Sequence, residues 1–362
     1  MDEIGSIEDI QRLMLRGYRD WKQYGDVGVK ADGDLLIFNY TVQAQFKAEW
    51  NFFERVSRGL ILNFRTGEIA ARPFDKFYNW LEGGRRANGH IVVVTEKVDG
   101  SLGILYRTAG EYRIATRGSF SSAQALWATQ FLNAHFDLTG LPDDLTLLFE
   151  IVYPDNRVIL DYHGREDLVL LAARNRHTGD YLPFFPDVQE IAARYGFSLP
   201  RVLAFNNLAQ IFERTGALGV EEEGYVVEFS DGSRFKFKGD RYLELQKLVT
   251  GLTYKNVLRA MSNNALDTVL RTIPDEFLVE TRGWIASIQT ALAETQGAVE
   301  SAFVEAPKDT RKGFALWIHA NAQELSSYLF AMLDERPIEP LIYKALLERA
   351  PNTSPRVADE KG

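Results

Sequence analysis

The chain has 362 residues, more than one hydrophobic core usually organises, so two domains, or one large domain with an appendage, are expected. Hydrophobic residues at 46%, charged at 25% and aromatic at 12% exclude a disordered, collagen-like or simple coiled-coil chain. A formal charge of -9 from 41 basic and 50 acidic residues excludes coating of nucleic acid by bulk charge, and the lack of any cysteine excludes disulfides, thiolate nucleophiles and Cys-ligated metals.

The start, Met1-Asp-Glu-Ile-Gly5, is acidic where a secretory signal is basic, and no apolar run approaches the roughly 18 residues of a membrane span. A soluble, cytoplasmic protein is expected. From about Asp34 to Lys238 short apolar or alternating runs predict strands: Leu35 to Phe38, Gly59 to Asn63, Ile91 to Val94, Leu102 to Tyr106, Leu145 to Phe149, Leu168 to Leu171, Tyr225 to Phe229 and Phe235 to Phe237. Helical periodicity interrupts them at Ser122 to His135, Asp187 to Tyr195 and Asn207 to Thr215. Helices and strands do not alternate one for one, which predicts an α+β domain with largely antiparallel sheets. Asp231-Gly232 between two alternating runs predicts a hairpin.

After about Gly239 the period becomes 3.6. Ile285, Ile288, Leu292, Val299 and Phe303 share one stripe; Phe314, Trp317, Ile318, Leu325, Tyr328, Leu329 and Met332 share another. The expected organisation is a domain over 1–246, an all-helical domain over 247–350 and a polar, frayed tail over 351–362. From Thr250 onward 12 basic residues face 15 acidic ones, so the helical part offers no bulk basic face.

Chemistry concentrates in a few segments. A strand runs into Lys97, then the Asp99-Gly100 turn, then another strand, which holds a lysine at a strand end over the sheet. As a nucleophile it must be uncharged, and with an ordinary pKa about three units above neutrality this costs about 4 kcal/mol. In Phe235-Lys236-Phe237-Lys238 the alternation sends both phenylalanines to the core and both lysines to the other face, about 6.5 Å apart. Such a pair grips polyphosphate and is expected to depress the pKa of a third lysine nearby. The window from Arg234 to Arg259, with seven basic residues against two acidic, is the one sustained basic stretch. Glu223 opens the partner strand across the hairpin and Glu150 lies near the end of another; a carboxylate beside phosphate-binding lysines suits a hard cation. The histidines at 90, 135, 163, 177 and 319 lack the spacing of a helical zinc site.

The series Lys97-Val-Asp-Gly-Ser101, Phe149-Glu150, Glu223-Gly-Tyr-Val226 and Lys236-Phe-Lys238 resembles the motifs of the covalent nucleotidyltransferases. Ser57-Arg58-Gly-Leu-Ile61, Arg72-Pro-Phe-Asp-Lys-Phe-Tyr-Asn79, the run from Arg117 to Leu126, that from Phe149 to Leu160, and that from Asp231 to Tyr242 resemble the ATP-dependent RNA ligases of the phage T4 tRNA-repair type. The likeness covers about residues 35–245, and more loosely the helical part. It implies an ATP-grasp-like ligase nucleotidyltransferase domain followed by an all-helical substrate-specificity domain. By this resemblance Lys97 carries AMP taken from ATP, Arg58 and Glu150 hold the nucleoside, and Lys76, Arg117, Lys236 and Lys238 hold phosphates. Glu223 would bind Mg²⁺ or Mn²⁺, Asp99 and Tyr242 would serve later steps, and Tyr40 stands where an adenine-pocket aromatic is expected, although a core role suits it equally. Arg117 departs from the lysine of the type member and Tyr78 from its phenylalanine. The implied substrates are ATP and RNA with 5′-phosphate and 3′-hydroxyl ends, such as a cleaved tRNA, with no membrane or protein partner. A DNA ligase or capping enzyme, which carries a small β-barrel after the last lysine motif, and a non-catalytic RNA-binding relative are the alternatives.

Overall fold

The computed structural model describes residues 4–80, 82–205, 207–271, 273 and 277–350; the tail over 351–362 lies outside them. The chain divides into two compact units, Met1–Gln246 and Lys247–Gly362. The first is built on three four-stranded sheets.

Helix α1 (Ile7–Gly17) opens the first unit. Ser6 and Asp9 cap it reciprocally, each side chain accepting the other's backbone N–H, at 3.2 and 2.9 Å. Its Ile7, Ile10, Leu13 and Met14 share one face and pack on the first sheet. That sheet orders β1 (Val27–Asp32), β2 (Leu35–Tyr40), β3 (Arg58–Asn63) and β4 (Ile69–Ala71) consecutively, with all pairs antiparallel. Helices α2 (Val42–Lys47) and α3 (Phe52–Val56) lie between β2 and β3. Strand β2 is apolar at successive positions because both its faces are covered. Leu36 and Phe38 meet α1 and its neighbours, while Leu35 and Ile37 meet Ile104, Tyr106 and Leu148 of another sheet. Each such fully buried side chain contributes about 1.5–3 kcal/mol.

The short β5 (Tyr78–Asn79) and β6 (Ile91–Glu96) belong to a second sheet, whereas β7 (Ser101–Thr108) and β8 (Glu111–Ala115) belong to a third. After α4 (Ala123–His135) come β9 (Leu145–Val152) and β10 (Asp167–Asn175), which complete the third sheet in the order β10-β9-β7-β8. Odd-numbered residues of β9, Leu147, Phe149 and Ile151, enter a core closed by α4 and by α5 (Gln189–Tyr195). The even-numbered residues face the other way: Leu148 toward the first sheet, then Glu150 and Val152.

Helix α6 (Leu208–Gly216) precedes β11 (Gly224–Phe229) and β12 (Arg234–Lys238), which join β5 and β6 in the order β5-β12-β11-β6. The expected Asp231-Gly232 hairpin is present, with Gly232 at φ +78°. Only β12 with β5 is parallel in this sheet. The expected α+β class with largely antiparallel sheets is observed. Missing from the sequence reading are the helices α1, α2 and α3 and the strands β1, β4, β5 and β8.

Helix α7 (Asp240–Val249) crosses the boundary between the units. Beyond it the second unit has α8 (Tyr254–Ser262), α9 (Leu266–Leu270), the 28-residue α10 (Leu278–Glu305), α11 (Arg311–Asn321), α12 (Ser326–Leu333) and α13 (Glu339–Arg349), with no strand among its described residues. The expected stripe on α10 buries Ile285, Ile288, Leu292 and Val299. The second expected stripe is split by a turn at Gln323–Leu325 between α11 and α12, and Phe314, Ile318 and Leu329 from both helices close on Val299. Among the described residues no helix is long and apolar enough to cross a membrane.

Candidate active site

The sheet carrying β6, β11 and β12 brings Lys97, Glu223 and Lys238 of the sequence-predicted residues to its strand ends and carries Lys236 within β12. Lys97 follows β6, and its backbone N–H donates to the Gly224 carbonyl at 2.8 Å, tying the start of the Lys97 to Gly100 turn to the start of β11. Gly224 sits at φ +147°, and a Cβ there would lie 1.9 Å from the Phe237 carbonyl oxygen, so only glycine fits this crossing. Opposite it in the ladder stands Lys238. Phe235 and Phe237 are buried in the core below while Lys236 and Lys238, alternating with them, face the site, as the alternation predicts.

Glu223 is the hub. One carboxylate oxygen accepts from Lys97 Nζ at 2.8 Å and the other pairs with Lys238 Nζ at 3.1 Å, and its side chain is only 2% exposed. Burial alone would lower the Lys97 pKa, but the Glu223, Glu150 and Asp99 carboxylates outweigh it and hold the ammonium above its ordinary range. This corrects the expectation of a lysine depressed by neighbouring cations: the side chain within hydrogen-bond reach is an acid. Glu150, facing the site from β9, is pushed up to about 7 by burial and by the nearby Glu223 and Asp99, with Lys97 and Arg58 pulling it down. Its protonation therefore changes far closer to neutrality than that of an ordinary carboxyl.

Asp99 is buried and its carboxylate is fully engaged. Oδ2 accepts the backbone N–H groups of Ile159 and Leu160, both at 2.8 Å, and Oδ1 accepts the Tyr242 hydroxyl at 2.9 Å. Tyr242, on α7, is 1% exposed and lies under the Lys238 ammonium at 5.3 Å. The backbone N–H of Asp99 donates to Tyr162 at 2.7 Å, and Ser101 donates to Asn156 at 2.9 Å. The segment from Asn156 to Tyr162 thus clasps the turn that carries Lys97. Tyr162 went unrecognised in the sequence, because nothing local marks a tyrosine whose partner is sixty-three residues away.

A cationic wall completes the site. Arg58 and Lys236 both lie over the Phe77 ring, at 5.5 and 5.3 Å. Lys76, its side chain 1% exposed, lies over Trp50 at 5.2 Å and Tyr78 at 5.4 Å. Arg117 donates to the Tyr40 hydroxyl at 3.0 Å and covers its ring. Tyr40 is 3% exposed and packs edge-on against Trp50, so its ring is core while its hydroxyl anchors Arg117. Trp50 Nε1, Ser57 Oγ, Arg58 Nη1 and Tyr78 Oη are buried without a hydrogen-bond partner. Each such atom costs about 1–3 kcal/mol, and their grouping beside edge-on rings and cations suits a polar, anionic, aromatic ligand.

Among the described residues no group of three or more His, Cys, Asp or Glu is placed to hold a metal. Glu223 and Glu150 offer hard oxygen donors, which fits a Mg²⁺-type cation that takes one or two carboxylates and completes its shell with phosphate oxygens and water.

The family model described as RNA ligase matches residues 56–242. The chain is 31% identical over 254 residues to a putative bifunctional polynucleotide kinase/RNA ligase of Autographa californica nuclear polyhedrosis virus, an alignment covering 59% of this chain and 35% of that protein. To the RNA ligase of Rhodothermus phage RM378 it is 25% identical over 407 positions, covering 88% of this chain and 90% of the relative. The chain thus spans about a third of the first relative and nearly all of the second. Among solved structures, a Naegleria gruberi RNA ligase mutant with AMP and Mn has a TM-score of 0.36 at 21% identity, over 43% of this chain and 52% of that one.

Proposed function

The chain belongs to the RNA ligase family of the phage T4 type, and from that premise we propose that it is an ATP-dependent RNA ligase that joins a 5′-phosphate end to a 3′-hydroxyl end through a lysyl-AMP intermediate. The observation that carries the reading is the meeting of Lys97 with Glu223 and Lys238, from three separate strand ends, beside a wall of Arg58, Lys76, Arg117 and Lys236.

Three transfers follow. The Lys97 amine, its proton lost to solvent, attacks the α-phosphorus of ATP; the nitrogen–phosphorus bond forms as the bond to the bridging oxygen breaks, and pyrophosphate leaves. A 5′-phosphate oxygen of RNA then attacks the same phosphorus, and Lys97 leaves and regains a proton. The 3′-oxygen of the other end attacks the activated 5′-phosphorus, AMP departs, and the hydroxyl proton goes to solvent. Such chemistry needs alignment and charge neutralisation more than acid–base groups. Arg58, Lys76, Arg117, Lys236 and Lys238 supply the cations, and Arg58 and Glu150 hold the nucleoside. Bound at Glu223, Mg²⁺ or Mn²⁺ would neutralise phosphate charge and loosen the carboxylate's hold on Lys97. Asp99 and Tyr242 keep the Lys97 turn closed.

The helical second unit supports an RNA ligase over a DNA ligase or capping enzyme, since no strand follows β12 among the described residues. Its proposed role is recognition of a structured substrate such as a cleaved tRNA. Offering 5′-phosphorylated single-stranded RNA and its DNA counterpart with ATP and Mg²⁺ tests the reading. Joined RNA is expected; sealing confined to nicked duplex DNA would overturn it.

A further inference from the structure

Ligation needs two RNA ends, and the cationic wall suits the one that bears a phosphate. The third sheet offers a different surface for the other. Glu150 faces the site from β9, and the next residue on that face, Val152, lines a cleft of about 160 Å³ together with Tyr153, Arg157, Asp161, Tyr162 and Arg165. Two residues along a strand span about 6.5 Å, so the cleft adjoins the nucleotide site, and Asp99 also lines it.

Its chemistry differs from that of the wall. Arg157 pairs with Asp161 at 2.9 Å and Arg165 with Asp167 at 2.5 Å, so each cation is matched by a carboxylate. A balanced cleft gives a terminal phosphate little attraction, whereas the exposed Asp161 carboxylate accepts hydroxyl donors. Asp161 is about half exposed, and the His163 backbone N–H holds its carboxyl below the ordinary range, so it is an acceptor at neutral pH. Tyr153 is stacked on Trp127, with centroids 4.2 Å apart and planes 13° apart, and Tyr162 is pinned by the Asp99 N–H. Fixed rings of this kind are platforms for bases. The volume falls below the several hundred ångströms cubed of a pocket that encloses a whole small ligand, which suits one residue of a polymer.

We infer that this cleft receives the terminal nucleoside of the 3′-hydroxyl RNA end, with Asp161 accepting from the ribose hydroxyls and thereby favouring ribose over deoxyribose. The inference rests on the RNA ligase reading and adds to it the site of the second substrate.

The test uses the full chain and a donor RNA already carrying AMP on its 5′-phosphate, so that only the joining step is read. Acceptor oligonucleotides end in a ribonucleotide or a 2′-deoxynucleotide. With Asp161→Asn the KM for the ribose-ended acceptor is expected to rise about tenfold, with kcat within about twofold and the ribose preference falling by a similar factor, as when a hydrogen bond loses the charge of its acceptor. Transfer of label from ATP to the protein is measured alongside. If labelling is intact and Asp161→Asn leaves acceptor KM and ribose preference as in the parent, or raises the donor KM instead, the cleft assignment is overturned alone. If the parent protein takes no label and joins no ends, the ligase reading fails and the cleft assignment with it.

Discussion

Lys97 is held in its unreactive, charged form by Glu223 at 2.8 Å, and Glu150 is raised to about 7 beside it. The residue types of this site were legible in the sequence, since a lysine before Asp-Gly, paired acids and alternating lysines each carry their chemistry in order. The sign of the Lys97 shift was not, because it depends on which side chain the fold brings within hydrogen-bond distance, and that side chain lies 126 positions away. Two outcomes belong to this scale. A carboxyl whose pKa is raised by folding favours the native state below its ordinary pKa, and that contribution is lost as pH rises through about 7. Glu150→Gln should therefore melt above the parent at pH 8, with the gap closing toward pH 5, while adenylylation falls; a lower melting temperature at pH 8 would contradict the assignment. Glu223→Gln should remove the anion that holds Lys97 charged yet slow adenylylation at least about a hundredfold through loss of charge stabilisation, read as label transferred from ATP at saturating Mg²⁺.

Among elements, β11 sets the geometry: its register with β12, Gly224 opposite Lys238, brings Glu223 to Lys238, and its pairing with β6 brings Glu223 to Lys97. The hairpin and the facing of its side chains could be read from Asp231-Gly232 and a period of two. The order of the sheets could not, because pairing β6 with β11 joins segments more than a hundred residues apart and leaves no local mark. Helix α1 carries local signals of its own, the Ser6–Asp9 cap and the spacing of Ile7, Ile10 and Met14. Gly224→Ala tests the register directly. With its Cβ 1.9 Å from a carbonyl oxygen and its backbone in the positive-φ region, the variant should lose several degrees of melting temperature and most adenylylation. Normal activity and stability would show that the crossing is looser than its geometry states.

For the whole molecule, the charge of -9 coexists with local groups of cations, Lys97 and Lys238 on one carboxylate and Arg58 and Lys236 on one ring, so net charge was the wrong scale for locating a phosphate site. The two units, Met1–Gln246 and Lys247–Gly362, suggest a division of labour. A chain ending after Thr250, which keeps α7 whole, should still form its AMP adduct while discriminating less among RNA substrates; a folded truncation that forms no adduct would count against the division. The account stands most directly on one measurement. After incubation with ATP and Mg²⁺, peptide mass spectrometry should find AMP on the peptide containing Lys97, and Lys97→Ala should abolish the adduct in a protein that melts like the parent. AMP on another residue, or an adduct that survives Lys97→Ala, would contradict it.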